Sequence, residues 1–498
     1  MTVNTRVLIA CGMGLFLGSA NTAFSALALP ELTSSLRLSG TASAWTVMAY
    51  QLPAGAMLLT AGNLGDRWGH RRLYLAGLLL FATASVLCAA AAGAPQLLSA
   101  RALQGVGGAV LTPATMALVV LTHPEPGDRT RAIALWTAGM GAGAAAGPTI
   151  GSLMLAGTGW RGLFAATATI ALAAAALAYC VLPRTSSTQT GPLDIVGQSL
   201  LTLALGAVLY AITCFQRLPP SPYELVSAGV LFSAAVSARR GRARRRSTAA
   251  TDPAGPAAPG LRPAMALGCA LFVLFNGFTY FHAVYLQRSA GLDPLQAGAL
   301  MTPAAVALFV AAPAAGRLAI RFGLRATAAG GAAAVVVGSV AFAMVLPAGP
   351  GLSQIAASAL IGAGTGLVNS VVGATVAITI PTDQIGAATG QLASARMFGG
   401  AAGMALLSSV LADGYRQALL DSGAALTGEQ LSQALMTPPM VRPAAIQLTV
   451  PTTTAFDSGL MRGILACSAL LLSVAVVACR RLPEGTGTAG RRGRRRPR

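Results

Sequence analysis

The chain has 498 residues, of which 54% are hydrophobic and only 10% charged, and its mean hydropathy is +0.66. That leaves too little polar surface to coat a soluble globule, so the composition defines a polytopic membrane protein. The net charge of +20 does not point to nucleic acid, because the arginines sit in loops between apolar runs and form no basic, aromatic-studded soluble face. The chain has no lysine, which excludes a Walker-type phosphate loop and with it ATP as a direct energy source.

Apolar runs of about twenty residues, the length of a bilayer-spanning helix, fall at Val7 to Leu29, Ala42 to Ala61, Leu73 to Ala92, Gln96 to Leu121, Ala132 to Ala156 and Gly162 to Leu182. These six spans make a first bundle over residues 1–182. Two more, Ile195 to Phe215 and Tyr223 to Ala238, fill 183–238. A linker rich in Arg, Pro, Gly and Ala follows at 239–262. Six further spans, near Ala264 to Leu286, Gln296 to Ala315, Ala326 to Leu346, Leu352 to Ile380, Ala387 to Leu411 and Gly459 to Cys479, make a second bundle over 263–480. This bundle includes a long extracytoplasmic loop, 412–458, in which Thr427 to Gln430 has the form of a capping box. A basic tail closes the chain at 481–498. The expected total is fourteen transmembrane helices in an all-α membrane protein.

Arginine-rich short loops stay on the cytoplasmic side. Arg67, Arg71, Arg72, Arg129, Arg131, the Arg239 to Arg246 cluster, Arg317, Arg321 and Arg325 therefore place both termini in the cytoplasm. The basic linker and tail meet the lipid bilayer surface. The seven cysteines, scattered along apolar runs, read as buried thiols and offer no metal site. No cofactor is expected. Neither Gly-x-Ser-x-Gly nor His-Glu-x-x-His occurs, so nothing marks an enzyme.

One string recurs. Gly62, Leu64, Arg67, Gly69 and Arg71 map at a constant offset onto Gly316, Leu318, Arg321, Gly323 and Arg325, as two related bundles in one polypeptide require. In the first copy Asp66 can accept hydrogen bonds from helix ends or an arginine, making a clasp, whereas Ile320 replaces it in the second. The clasp is therefore expected to be asymmetric, and the glycines to form a tight turn. On the fifth span Gly139, Gly143, Gly147 and Gly151 form a stripe for close helix packing, with a bend at Pro148. The stripe reads either as ordinary packing or as a smooth seam on which the two halves rock.

Together these strings resemble the major facilitator superfamily, and within it the fourteen-span drug:proton antiporters. Trp45, Tyr50, Asp66, Arg67, Gly69 and Arg71 are similar to its motif A region. Arg101, Gln104, Gly105 and Gly107 are similar to motif B, and Gly143, Gly147, Pro148 and Gly151 to the antiporter motif C. Asp194, Gly197, Tyr285 to Gln287, Gly291, Pro294, Gly386, Gly390, Arg396, Gly399, Gly400 and Gly403 add features of the fourteen-span members. The resemblance implies a major-facilitator fold of two six-helix bundles plus two inserted helices, acting on a small-molecule substrate and protons; the sequence itself does not set the oligomeric state, and a monomer is the expectation.

The chain departs from this family at a telling place. Aligned on Ala28-Leu29-Pro30, Asn21 stands where such antiporters commonly carry an aspartate, and an amide carries no proton at physiological pH. Arg101, embedded in the fourth span, needs carbonyls, water or a carboxylate, unless it snorkels outward. His282 titrates near neutrality when unperturbed, so Arg101, Asn21 and His282 are the coupling candidates. Gln51, Gln104, Asn276, Tyr280, Asn369 and Arg396 are candidates to line a substrate cavity between the halves, though each also suits a helix-to-helix hydrogen bond. Arg101 and Arg396, with few central acids, point to neutral or anionic cargo. A facilitator or importer of the same fold, and more remotely a membrane sensor, are the rival readings.

Overall fold

The computed structural model describes residues 3–38, 40–123, 125–183, 260–379, 385–421 and 452–482. The two inserted spans, most of the linker, the Thr427 capping box and the basic tail lie outside the described residues. The rest is helical: α1 (Val3–Ser35), α2 (Gly40–Trp68), α3 (His70–Ala89), α4 (Ala94–Thr122) and α5 (Pro126–Val181) form one half. In the other are α6 (Leu261–Val284), α7 (Pro294–Phe322), α8 (Leu324–Val345), α9 (Leu352–Thr379), α10 (Ile385–Asp421) and α11 (Thr452–Arg481). Nine helices among the described residues are long and apolar enough to cross a membrane.

Helix α5 holds the expected fifth and sixth spans in one element, broken at Gly159, where φ is +66°. That left-handed conformation favours glycine. The Glu31 carboxylate beside it accepts a hydrogen bond from the Trp160 backbone, capping the returning segment as carboxylates do at helix starts. Two expectations need correction. Residues 62–68 are not loop: α2 runs through Gly62, Asp66 and Arg67, and the turn begins at Gly69, whose φ of +83° is what ends the helix. Gly323 does the same in the second half with φ +87°. The expected loop 412–458 is also shorter, since α10 continues to Asp421 and α11 starts at Thr452.

Lipid tails are as apolar as the side chains, so close packing of small residues, rather than water expulsion, holds such helices together. Added side chains at Gly139, Gly143, Gly147 and Gly151 would meet Gly12, Phe16, Ala20 and Ala23, and Phe24 respectively, all on α1. The stripe therefore seals α5 to α1 inside the first half. It is not the seam between halves, because helical periodicity reveals a smooth face without naming its neighbour. A different face of α5 meets the second half: Pro148 and Ser152 lie against Gly298 of α7, and the hydroxyls of Thr149 and Thr302 are 2.7 Å apart. On the other side of the seam Ala54 and Leu58 of α2 pack with Ala393 and Met397 of α10.

The near end of the bundle carries the start of α1 and the α2–α3 turn; the far end carries the break in α5. At the far end Gln287 Nε2, in the π-helical turn Tyr285–Ser289 that extends α6, donates to the Leu27 carbonyl at 3.2 Å. With Thr149–Thr302 this ties the two halves together in the far part of the molecule.

Candidate functional site

Arg101 is the centre of the first half. Only 1% exposed, it points inward and does not snorkel. Its Nε donates to the Thr46 carbonyl at 3.0 Å, and its Nη1 donates to Asn21 Oδ1 at 3.4 Å and to Gln104 Oε1. Its guanidinium carbon lies 4.9 Å from the centroid of the Tyr50 ring. Gln104 Nε2 in turn donates to Ser85 Oγ at 2.7 Å. Helices α1, α2, α3 and α4 each contribute a group, so the charge is housed by carbonyls, amides and a π face with no carboxylate among them.

The polar band continues across the seam. Gln51, next to Tyr50, and Asn276 of α6 face each other over Gly400 of α10, where an added Cβ would strike both side chains. One turn along α10, Arg396 Nη2 donates to the Asn369 carbonyl at 3.3 Å, and its guanidinium carbon sits 5.8 Å from the Phe272 ring centroid. Phe272, Asn276 and Tyr280 are spaced by four on α6 and so share a face. Along this band, among the described residues, three buried polar atoms lack a partner: Gln51 Oε1, Asn369 Oδ1 and Arg396 Nε. Such groups cost about 1–3 kcal/mol each when left unmade, and they call for an occupant.

The structure thus brings Asn21, Gln51, Gln104, Arg101, Asn276, Asn369 and Arg396 into one band. His282 does not join it. It lies in the second half between Phe278 and Phe342, ring centroids 5.1 and 4.9 Å away, on a different face of α6 from Asn276. Of the repeated string, Arg71 Nη2 donates to the Tyr179 carbonyl at 2.5 Å and Arg325 Nε to the Leu482 carbonyl at 2.5 Å. Each arginine anchors its turn to the end of the last helix of its own half. Ile320 is 80% exposed, while the side chain of Asp66 lies outside the described residues. Sequence reasoning gave no role to Thr46, Ser85, Phe272 or Gln287. Of these, Phe272 left a signal in its spacing of four from Asn276, and Gln287 in the Tyr285 to Gln287 string that resembles the fourteen-span members.

Two helix bundles joined along a seam that holds a buried polar band define a membrane transporter. The chain belongs to the Major Facilitator Superfamily, whose family profile matches residues 10–404. It is 31% identical to the multidrug efflux pump LfrA of Mycolicibacterium smegmatis, over 91% of both chains. It is 30% identical to the multidrug resistance protein Stp of Mycobacterium tuberculosis, over 81% of this chain and 75% of that one. With the tetracenomycin C resistance and export protein of Streptomyces glaucescens it shares 31% identity over 81% of this chain and 75% of that protein. Among solved structures, a D-xylose-proton symporter superposes with a TM-score of 0.64 at 14% identity, covering 98% of this chain and 99% of that one, a likeness of fold.

Proposed function

We propose that the protein exports small, largely apolar drugs or antibiotics in exchange for protons, by alternating access of the polar band to the two membrane faces. The observation that carries this reading is the set of unpartnered buried atoms on Gln51, Asn369 and Arg396, drawn from both halves and lying along their seam. A cargo that completes those hydrogen bonds binds both halves at once, which is what alternating access requires. The far-end ties at Gln287 and Thr149 suit a state closed at that end. The efflux and resistance relatives support export as the direction. In this reading the chain sits in the cell membrane as a monomer with fourteen spans and both termini cytoplasmic. The end of α2 with Gly62, Asp66 and Arg67, together with the turn at Gly69 and Arg71, biases the bundle toward one state.

A membrane potential of 100 mV supplies roughly 2.3 kcal/mol per charge moved, enough for one proton to sustain a useful cargo ratio. Everted vesicles containing the protein, energised and screened with a broad compound panel, should accumulate cargo and lose it on adding an uncoupler. Absence of both effects across the panel rejects the proposal. A second reading, a facilitator with lost coupling, is favoured by one observation only: Asn21, not an acid, faces Arg101. Cargo-induced proton flux in proteoliposomes separates the two.

A further inference from the structure

The two membrane-embedded guanidiniums, Arg101 buried and Arg396 part-buried, are not equivalent. Arg101 has its donors directed at Thr46, Asn21 and Gln104 and its face on Tyr50. Among the described residues Arg396 makes a single hydrogen bond, to the Asn369 carbonyl, and its Nε is enclosed beside Gly268 of α6 without a partner. Among the described residues no carboxylate pairs with it. It lies one turn from Gly400 on the same face of α10, the face that meets Gln51 and Asn276 at the seam. The edge of a guanidinium presents parallel N–H donors that match a carboxylate. Beside it are the face of Phe272, with Phe275 a further 6.5 Å away in an edge arrangement, and Asn369 Oδ1, an acceptor with nothing to accept from.

We propose that Arg396, Phe272 and Asn369 form a subsite for an aromatic acid: the carboxylate accepting from the unpartnered Nε of Arg396, the ring against Phe272, and a ring hydroxyl or N–H donating to Asn369 Oδ1. This names the cargo class of the exporter and so rests on that reading. A cation is disfavoured here because it would meet an uncompensated positive charge at short range in a poorly screened site.

The probe is radiolabelled 4-hydroxy-2-naphthoate, binding to the purified full chain in detergent, with its methyl ester and 2-naphthylmethylammonium as competitors. The acid should outcompete ester and ammonium by about tenfold or more, the ordinary weight of a charge-assisted hydrogen bond. Arg396→Gln should weaken the acid by about the same factor and so erase its preference over the ester, with a single cooperative melting transition in detergent reporting that the variant is folded. Arg396→Lys should keep a reduced preference for the acid. The proposal falls if wild type prefers the ester or the ammonium, if Arg396→Gln retains the acid preference, or if Arg396→Lys loses it altogether. Failure of the exporter reading looks different: acid binding that depends on Arg396, with no energised uptake in everted vesicles.

Discussion

Replacing Asn21 by aspartate restores a carboxylate where the family commonly has one, and the structure sets the size of the effect. Asn21 Oδ1 is 3.4 Å from Arg101 Nη1. At that separation, and at an effective dielectric constant of about 20, a carboxylate and a guanidinium attract by about 5 kcal/mol. Desolvation of the new charge costs several kcal/mol, but Arg101 is already buried in wild type, so most of its own penalty is present before the substitution. The pair therefore forms, and it separates only when a proton or a conformational change intervenes. Asn21→Asp should add one proton to each transport cycle whatever coupling wild type has. In proteoliposomes a pH gradient of one unit is worth 1.36 kcal/mol per proton, about tenfold in cargo. In the variant the logarithm of static-head accumulation should thus rise by about one more unit per unit of pH gradient than in wild type. Equal slopes in the two proteins, with transport retained in both, would refute the argument that position 21 governs coupling through Arg101.

Arg101→Leu should abolish transport and lower the melting temperature in detergent, because it leaves Asn21, Gln104 and the Thr46 carbonyl without their shared donor, at about 1–3 kcal/mol per orphaned group. An active Arg101→Leu variant would contradict the central place of this guanidinium. Thr149→Val removes the hydroxyl pair with Thr302 at the seam and should cost the far-end-closed state about 1 kcal/mol, or roughly fivefold in population. Spin-label distances across α5 and α7 should lengthen accordingly, and an unchanged distribution counts against a role for this tie. Gly143→Leu should destabilise the first half by about 1–3 kcal/mol or more through its clash with the Phe16 backbone on α1, while spin-label distances across the α2–α10 seam stay as in wild type. Altered seam distances with an unchanged melting temperature would restore the stripe as the rocking surface.

The sequence disclosed whatever rests on length and spacing. Each described span lies on its expected apolar run, because some twenty apolar residues between arginine-bearing turns admit little else. The alignment on Ala28-Leu29-Pro30 placed Asn21 opposite its family aspartate, and Asn21 does face Arg101. What stayed hidden depends on neighbours. A glycine stripe has the same pattern whether it packs on α1 or on α7. His282 shares α6 with Asn276, and only the fold shows that it turns to Phe278 and Phe342. The Thr46 carbonyl, an essential acceptor for Arg101, is a backbone group, and no residue type advertises it. The string from Gly62 to Arg72 contains three glycines with no local feature separating them. Only the turn geometry singles out Gly69.

That string also indicates where the halves differ. Arg71 and Arg325 are equivalent in the repeat, and each donates to a carbonyl at the end of the last helix of its own half, so the anchoring function was kept in both copies. Divergence lies deeper in the membrane. The first half surrounds its guanidinium with internal partners and so fixes Arg101 as part of its own frame. The second half gives Arg396 one hydrogen-bond partner among the described residues and leaves its Nε without one. An alternating-access device needs one element that reports its state and one that holds its cargo, and a duplicated bundle supplies both only if the copies specialise. Asn21→Asp and Arg396→Gln should therefore act on separable quantities, the first on the slope with pH gradient and the second on affinity for the acid, and their double variant should combine the two effects independently if the sites are as distinct as their partners make them.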